Sequence, residues 1–317
     1  MNMQIGERYT QREVFGKALV ELAPEFPDLV VLDPDVAPST QTHLFGQAYP
    51  DRFFETGIAE QNTVGIAAGL STMGYIPFVS AFAVFLTQRA GDQIRNSIAH
   101  PRANVKLNGS YGGLPTGRAG ATHSAFEDVA CMRCLPDMVI LEPADPMETL
   151  LCTRLALETE GPVYLRTVRC EVPVMFDGSH RVQLGKAVRL KEGNDITIIS
   201  TGMMTPKALE AVKLLSAQGI NAALLHMPSI KPLDKDAVIE AAKTAKSIVT
   251  VENHSVIGGL GSAICEVVAE HGGCPVRRLG FQDVFLESGD DEVLFGRYGI
   301  NVQEIAESAK QQLSMLK

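Results

Sequence analysis

The sequence predicts an α/β protein made of two doubly wound domains, and three observations predict it. Short β-branched runs alternate with longer segments of helical period, the alternation halts at a polar, turn-rich crossing near residues 171–194, and it then resumes. Strand and helix in alternation call for largely parallel sheets covered on both faces, because each crossover helix returns the chain to the same strand direction. The expected domains are residues 1–180 and 190–317.

Each element follows from its local pattern. In the first domain DLVVLD (28–33), YIPFVS (75–80), NVKL (104–107), DMVIL (137–141) and PVYLRT (162–167) are short and β-branched enough to read as strands. Helical period covers residues 11–23, 59–72, 83–99, 125–134 and 146–159. In the second domain DITIIS (195–200), NAALLH (221–226) and SIVTVE (247–252) are strands, each followed by a helix. Ligands of such sheets collect outside the carboxyl ends of the strands, so the loops there are the places to look for chemistry.

Composition narrows the function. The 317 residues are 45% hydrophobic and 21% charged, carry a formal net charge of -9 and show no basic cluster, which argues against nucleic acid and against an anionic membrane as partners. The N-terminal MNMQIGERYTQRE is polar, and no run approaches the roughly 18 apolar residues of a membrane span, so a cytoplasmic location is expected. Six cysteines are too sparse for a disulfide scaffold and read as reduced thiols.

Three constellations stand out. In FFETGIAEQNTVGIAAGL (53–70), Glu60 stands in the first turn of a Gly/Ala-rich helix. A first-turn glutamate by itself merely complements the helix dipole, but here Gly57, Gly65 and Gly69 strip side chains from its surroundings, as close approach of another backbone requires. In SAFAVFLTQRAGDQIRNSIA (80–99), Phe82 and Phe85 follow a strand; at this spacing they suit a core, and at a strand end they also suit a wall for a flat heterocycle. In NGSYGGLPTGRAGATHSAFED (108–128), a glycine-rich loop delivers His123 to the start of a helix. A capping box of Ser124 and Glu127 accounts for the serine and glutamate but not for the histidine or the glycines.

Two further motifs are decoys. CMRC (131–134) has no second ligand pair for a metal, and IGGLGSAICEVV (257–268) does not fit G-x-G-x-x-G, which leaves close strand–helix packing as its reading.

Taken together, GIAEQN, AFAVF and GATHSAFED followed by CLPDMVILEPAD resemble the acid motif, aromatic wall and histidine loop of the transketolase family and of its relative deoxyxylulose-phosphate synthase. YTQREVFGKAL and VVLDPDVAPST extend the resemblance towards the N-terminus, so that it spans residues 8 to 315. The two domains are then a thiamine-diphosphate pyrimidine-binding domain and a transketolase C-terminal domain. Full-length family members begin with a further domain whose Gly-Asp-Gly motif holds the metal and the cofactor's diphosphate, whereas AGDQ (90–93) and SGDD (288–291) lack the second glycine. The expectation is the C-terminal half of a split enzyme.

The resemblance implies roles. Glu60 would hydrogen-bond N1′ of thiamine diphosphate, favouring the tautomer that removes the thiazolium proton, and burial is expected to keep its carboxyl protonated. Phe82 and Phe85 would hold the pyrimidine, and Asp35 would serve at the cofactor or at an interface. His123 would contact the reacting oxygens, and Arg12, Ser39 and Arg166 would grip the sugar phosphate, although singly they read as a surface arginine, an N-cap serine and a strand-end arginine. The partner implied is an N-terminal transketolase subunit carrying the diphosphate-binding domain and most of the ligands of a Mg2+ or Ca2+ ion, in a heterotetramer with a homodimer core. Two departures concern the substrate: the family histidine upstream of the glycine loop falls near Asn108 to Ser110, and the aspartate before His123 is replaced by Ala119. A branched sugar phosphate such as apulose phosphate is therefore an alternative to ordinary pentose phosphates. Competing classes are the β subunit of a 2-oxo-acid dehydrogenase decarboxylase, a deoxyxylulose-phosphate synthase half, and a non-catalytic scaffold derived from the same fold; retention of Glu60 and His123 argues against the scaffold.

Overall fold

Every strand run expected above forms in the computed structural model, which describes all residues except Asn2, Gly117 and Lys317. In chain order the strands are β1 (Arg8–Thr10), β2 (Leu29–Asp33), β3 (Phe53–Glu55), β4 (Ile76–Phe82), β5 (Lys106–Ser110), β6 (Val139–Leu141), β7 (Val163–Arg166), β8 (Glu171–Pro173), β9 (Val188–Lys191), β10 (Ile196–Ser200), β11 (Ala222–His226), β12 (Ser229–Lys231), β13 (Ile248–Ser255) and β14 (Val276–Phe281). The first sheet runs β12-β6-β7-β5-β4-β2-β3 and the second β14-β13-β10-β11-β9. Both are parallel except at one edge each, where β12 and β9 run antiparallel to their neighbours. A two-stranded ribbon pairs β1 with β8. Because β12 lies beyond the interdomain crossing yet pairs with β6, the second half of the chain contributes an edge strand to the first sheet.

The side-chain period of two along β2 shows why both faces of this sheet are dry. Val30 and Leu32 point into one apolar cluster with Val64, Ala67 and Ile94, whereas Leu29 and Val31 point into another with Phe15, Leu19 and Leu22. Helices Gln11–Leu22 and Pro146–Glu158 cover the second face, and Glu60–Thr72 lies against the first.

Two expected helices form differently. Residues 83–99 are not one regular helix: Phe85–Arg89 and Ile94–Ala99 are wide, π-type turns flanking a short α turn at Gly91–Gln93. Such widened turns re-aim side chains and recur beside functional sites. The helix expected from residue 125 begins at Asp128, and the capping box does not form, since Ser124 Oγ engages Thr116 Oγ1 at 2.7 Å and the Gly120 carbonyl at 3.0 Å. His123 therefore sits in the loop ahead of this helix rather than at its start.

The glycine-rich turn after β13 is closed to a dinucleotide. Glu252 accepts hydrogen bonds from Leu260 N (2.7 Å) and Gly261 N (2.9 Å) at the N-terminus of helix Leu260–His271, where a pyrophosphate would have to sit. A Cβ on Gly261 would lie 2.6 Å from Thr250 Oγ1, so this glycine serves close strand–helix packing.

Candidate active site

The loops at the carboxyl ends of β2, β4, β5 and β7 converge on one corner of the first sheet. Gly57, in the left-handed region at φ 72°, turns the chain after β3 into helix Glu60–Thr72. This places Glu60, only 3% exposed, in the first turn, where the helix dipole favours its negative charge. Its Oε2 accepts a hydrogen bond from Arg89 Nη1 at 2.6 Å.

Opposite stand the aromatic groups. Phe82 ends β4, and Phe85 opens the wide turn after it, with ring centroids 6.0 Å apart and planes 25° from parallel. The Tyr111 ring lies 4.2 Å from Phe82, and the His123 ring meets Phe85 edge-on at 5.2 Å. Arg89 caps the wall, its guanidinium carbon 4.9 Å from the Phe85 centroid. Acid, aromatic wall and histidine thus share one site.

A cationic corner adjoins it. Arg12 Nη1 donates to the Tyr111 hydroxyl at 2.8 Å and to the Ser39 carbonyl at 3.1 Å. Arg12 and the exposed Arg169 each place a guanidinium carbon 5.7 Å from the Tyr111 ring centroid. Tyr111 adopts φ 61°, a left-handed conformation uncommon for a bulky residue and typical of strained functional turns. Among the described residues, Arg12 Nε and Ser110 Oγ are buried without a hydrogen-bond partner. Unpaired buried polar atoms are costly, and here they sit on two elements that frame the corner.

Residues 7–174 match the transketolase pyrimidine-binding domain, and residues 185–305 match the transketolase C-terminal domain. The chain belongs to the transketolase family. It is 40% identical over 305 residues to a putative transketolase C-terminal section from Methanocaldococcus jannaschii, covering 95% of this chain and 96% of that one. It is 38% identical to a 6-deoxy-6-sulfo-D-fructose transketolase subunit from a Clostridium species, covering 96% and 95%. Among solved structures, one described as a split gene transketolase, an inactive β4 tetramer, superposes with a TM-score of 0.89 at 46% identity, covering 97% of this chain and 99% of that chain.

Within this transketolase-family chain the structure gathers Glu60, Phe82, Phe85 and His123, with Arg12 and Ser39 beside them through Tyr111. Ser39 meets Arg12 through its carbonyl. Asp35 is exposed at φ 66° on the turn after β2, while its neighbour Asp33 is buried and ties that turn together by accepting from Val36 N, Thr40 Oγ1 and Thr42 Oγ1, each at 2.7 Å. Burial pushes the Asp33 carboxyl up to about 6.

Arg166 is a correction. It is 1% exposed, with Nε and Nη2 on Asp128 (2.7 and 3.0 Å), Nη1 on Glu142 (2.8 Å), and Nη2 also on the carbonyls of Ala125 and Asn253. Its fork is committed to protein acceptors and has no path to a sugar phosphate, because β7 directs the side chain into the domain boundary. The arginine that reaches the corner is Arg169, three residues on. A second arginine just past a strand end was the available signal; its exposure was not legible. Tyr111 carries no motif of its own in the sequence, although it directly follows the Asn108–Ser110 stretch onto which the family histidine falls. Asn108 itself is buried, joined to Ser80 Oγ at 2.8 Å and Thr167 Oγ1 at 3.0 Å. Arg89 carried no sequence signal, since its meeting with Glu60 spans 29 residues.

Proposed function

We propose that this chain is the small subunit of a two-subunit, thiamine-diphosphate-dependent transketolase that moves a two-carbon ketol unit between sugar phosphates. The observation that carries the proposal is the junction of buried Glu60 with the Phe82–Phe85 wall, His123 and the Arg12–Tyr111–Arg169 corner. A half-buried pair of rings beside a buried acid fits a flat aminopyrimidine. The family's diphosphate-binding Gly-Asp-Gly motif is not matched in this sequence, where AGDQ (90–93) and SGDD (288–291) lack the second glycine. On this reading the Mg2+ or Ca2+ and the diphosphate are held mainly by the partner subunit.

When bound, the cofactor supplies the carbon nucleophile that cleaves the donor's carbon–carbon bond and carries the ketol unit. The residues of this chain prepare that chemistry. Glu60 would hydrogen-bond the pyrimidine N1′ and exchange a proton there, Phe82 and Phe85 would fix the ring plane, and His123 would hydrogen-bond the reacting sugar oxygens. Arg12 and Arg169, with Ser39, grip the phosphate, the planar guanidinium forks matching its oxygens. Asp35 lies where it would meet the cofactor or the partner.

The face that the partner would cover is helix Glu60–Thr72 itself. Gly65 and Gly69 open onto empty space, Ile66 is 37% exposed, and Ile58 and Met73 at the two ends of the helix are 74% and 73% exposed. A helix this apolar with an open small-residue face suits close approach of another chain. The assembly is a heterotetramer around a homodimer core. The test is reconstitution with a subunit carrying a Gly-Asp-Gly diphosphate domain: the mixture transfers ketol units between sugar phosphates and the purified chain alone does not. Full activity of the isolated chain would overturn the split-subunit assignment.

A further inference from the structure

The C-terminal domain reaches the site through three consecutive residues at the end of β13. Asn253 Oδ1 accepts from Leu114 N at 3.0 Å, and its Nδ2 donates to the Gly112 carbonyl at 3.2 Å, so one side-chain amide holds both sides of Gly113. Gly113 has φ 74°, and a Cβ there would lie 2.2 Å from Asn253 Nδ2, so the fit requires glycine. The Leu114 side chain, fully buried, belongs to the apolar cluster of the second domain. At the far end of the loop Ser255 N donates to the Phe126 carbonyl at 2.7 Å, and His254 Nε2 accepts from Ala130 N at 3.3 Å. His254 Nδ1 lies 2.7 Å from the Ser255 carbonyl, the arrangement of a neutral imidazole with Nδ1 protonated. Asn253 and His254 are each no more than 1% exposed.

Both ends of the segment that carries Tyr111 and His123 are therefore pinned by the other domain. We infer that Asn253 is a positioning residue for the substrate: the C-terminal domain, through this one side chain, holds the Gly112–Leu114 turn that keeps Tyr111 in its left-handed conformation, and Tyr111 in turn orients Arg12 by the 2.8 Å hydrogen bond. This inference rests on the function proposed above for its consequence in turnover, but the clamp itself does not.

The test uses the complex of this chain with the diphosphate-binding subunit and two variants. Asn253→Ala removes both hydrogen bonds, and Gly113→Ala pushes the same contact apart from the loop side, which keeps the question answerable if the first variant does not fold. Amide hydrogen exchange of residues 112–126 should quicken about tenfold or more in the folded variant while β10 and β11 exchange as in wild type. In turnover, KM for the phosphorylated aldose should rise about 10–100-fold, while deuterium exchange at the thiazolium carbon, which depends on Glu60, stays within about threefold. A merely structural role would slow both reactions together. Loop exchange unchanged in both variants, or KM unchanged with the loop loosened, overturns the inference. If the wild-type complex transfers no ketol unit, the proposed function fails and the loop-exchange measurement alone decides whether the clamp exists.

Discussion

Arg89 Nη1 lies 2.6 Å from Glu60 Oε2, joining an arginine that is 46% exposed to a glutamate buried at the start of its helix. The pair is half buried, so its strength falls between that of exposed pairs and that of fully buried ones. Arg89→Met should lower the stability of the isolated chain by about 1–2 kcal/mol, and a double-mutant cycle with Glu60→Gln should return a coupling of about 1 kcal/mol. Urea denaturation of the four proteins checks this; strict additivity would mean that the pair contributes nothing.

Glu60→Gln retains the shape of the side chain but removes the titratable carboxyl group. In the reconstituted complex assembly should survive, while deuterium exchange at the thiazolium carbon slows by about 10²–10⁴, the range for a positioned acid–base group. His123→Ala should slow ketol transfer more than that exchange. Wild-type exchange in the Glu60 variant would reduce this residue to a helix-end carboxylate.

Arg166 and Arg169 should separate cleanly. Arg169→Ala, at an exposed site, should leave stability unchanged within about 0.5 kcal/mol and raise KM for a phosphorylated acceptor about 10–100-fold. Arg166→Met strands Asp128 and Glu142 without their partner and should cost about 3–5 kcal/mol of stability. Melting curves beside steady-state kinetics distinguish the two, and the reverse pattern would restore Arg166 as the phosphate ligand.

Two buried glutamates act on stability in opposite directions of pH. Burial pushes Glu252 up to about 8 against the two backbone hydrogen bonds it accepts, so its contribution is complete below 4.5 and is lost as pH rises through 8. Burial also works to raise Glu148, but His226 at 2.7 Å and His180 at 2.8 Å outweigh it and hold the carboxyl down to about 2, so that contribution is present above 4.5 and is lost as pH falls to 2. Denaturation of Glu252→Gln from pH 5 to 9 should show the wild type losing ground to the variant as pH rises, by at most about 1.4 kcal/mol per pH unit. A constant difference across that range would show that Glu252 does not titrate there.

Substituting the open face of helix Glu60–Thr72 should act on assembly rather than folding. A Cβ at Gly65 meets nothing within 4 Å, so Gly65→Leu is accommodated by the isolated chain yet obstructs a closely packed partner. Sedimentation should show a normal free subunit that fails to join the diphosphate-binding subunit, and unimpaired assembly would place the interface elsewhere.

The alternation of strand and helix, the two sheets and the loops bearing Glu60, Phe82, Phe85 and His123 were all legible in the sequence, because parallel sheets buried on both faces impose short apolar strands and place chemistry at their carboxyl ends. The edge strands β9 and β12 were not, since their pairing depends on a neighbouring sheet edge and their own runs are short and mixed. Within the site, motif position named Arg166 for the phosphate, and only the tertiary structure showed its guanidinium enclosed by Asp128 and Glu142 while Arg169 faces the corner. Neither Arg89 on Glu60 nor Asn253 on the glycine loop could be read in advance: the first contact spans 29 residues and the second 139, and nothing local in either segment records its partner. Local pattern determines which residues lie at the strand ends, whereas which of their charged groups face solvent and which are spent on one another is decided by the packing of the two domains.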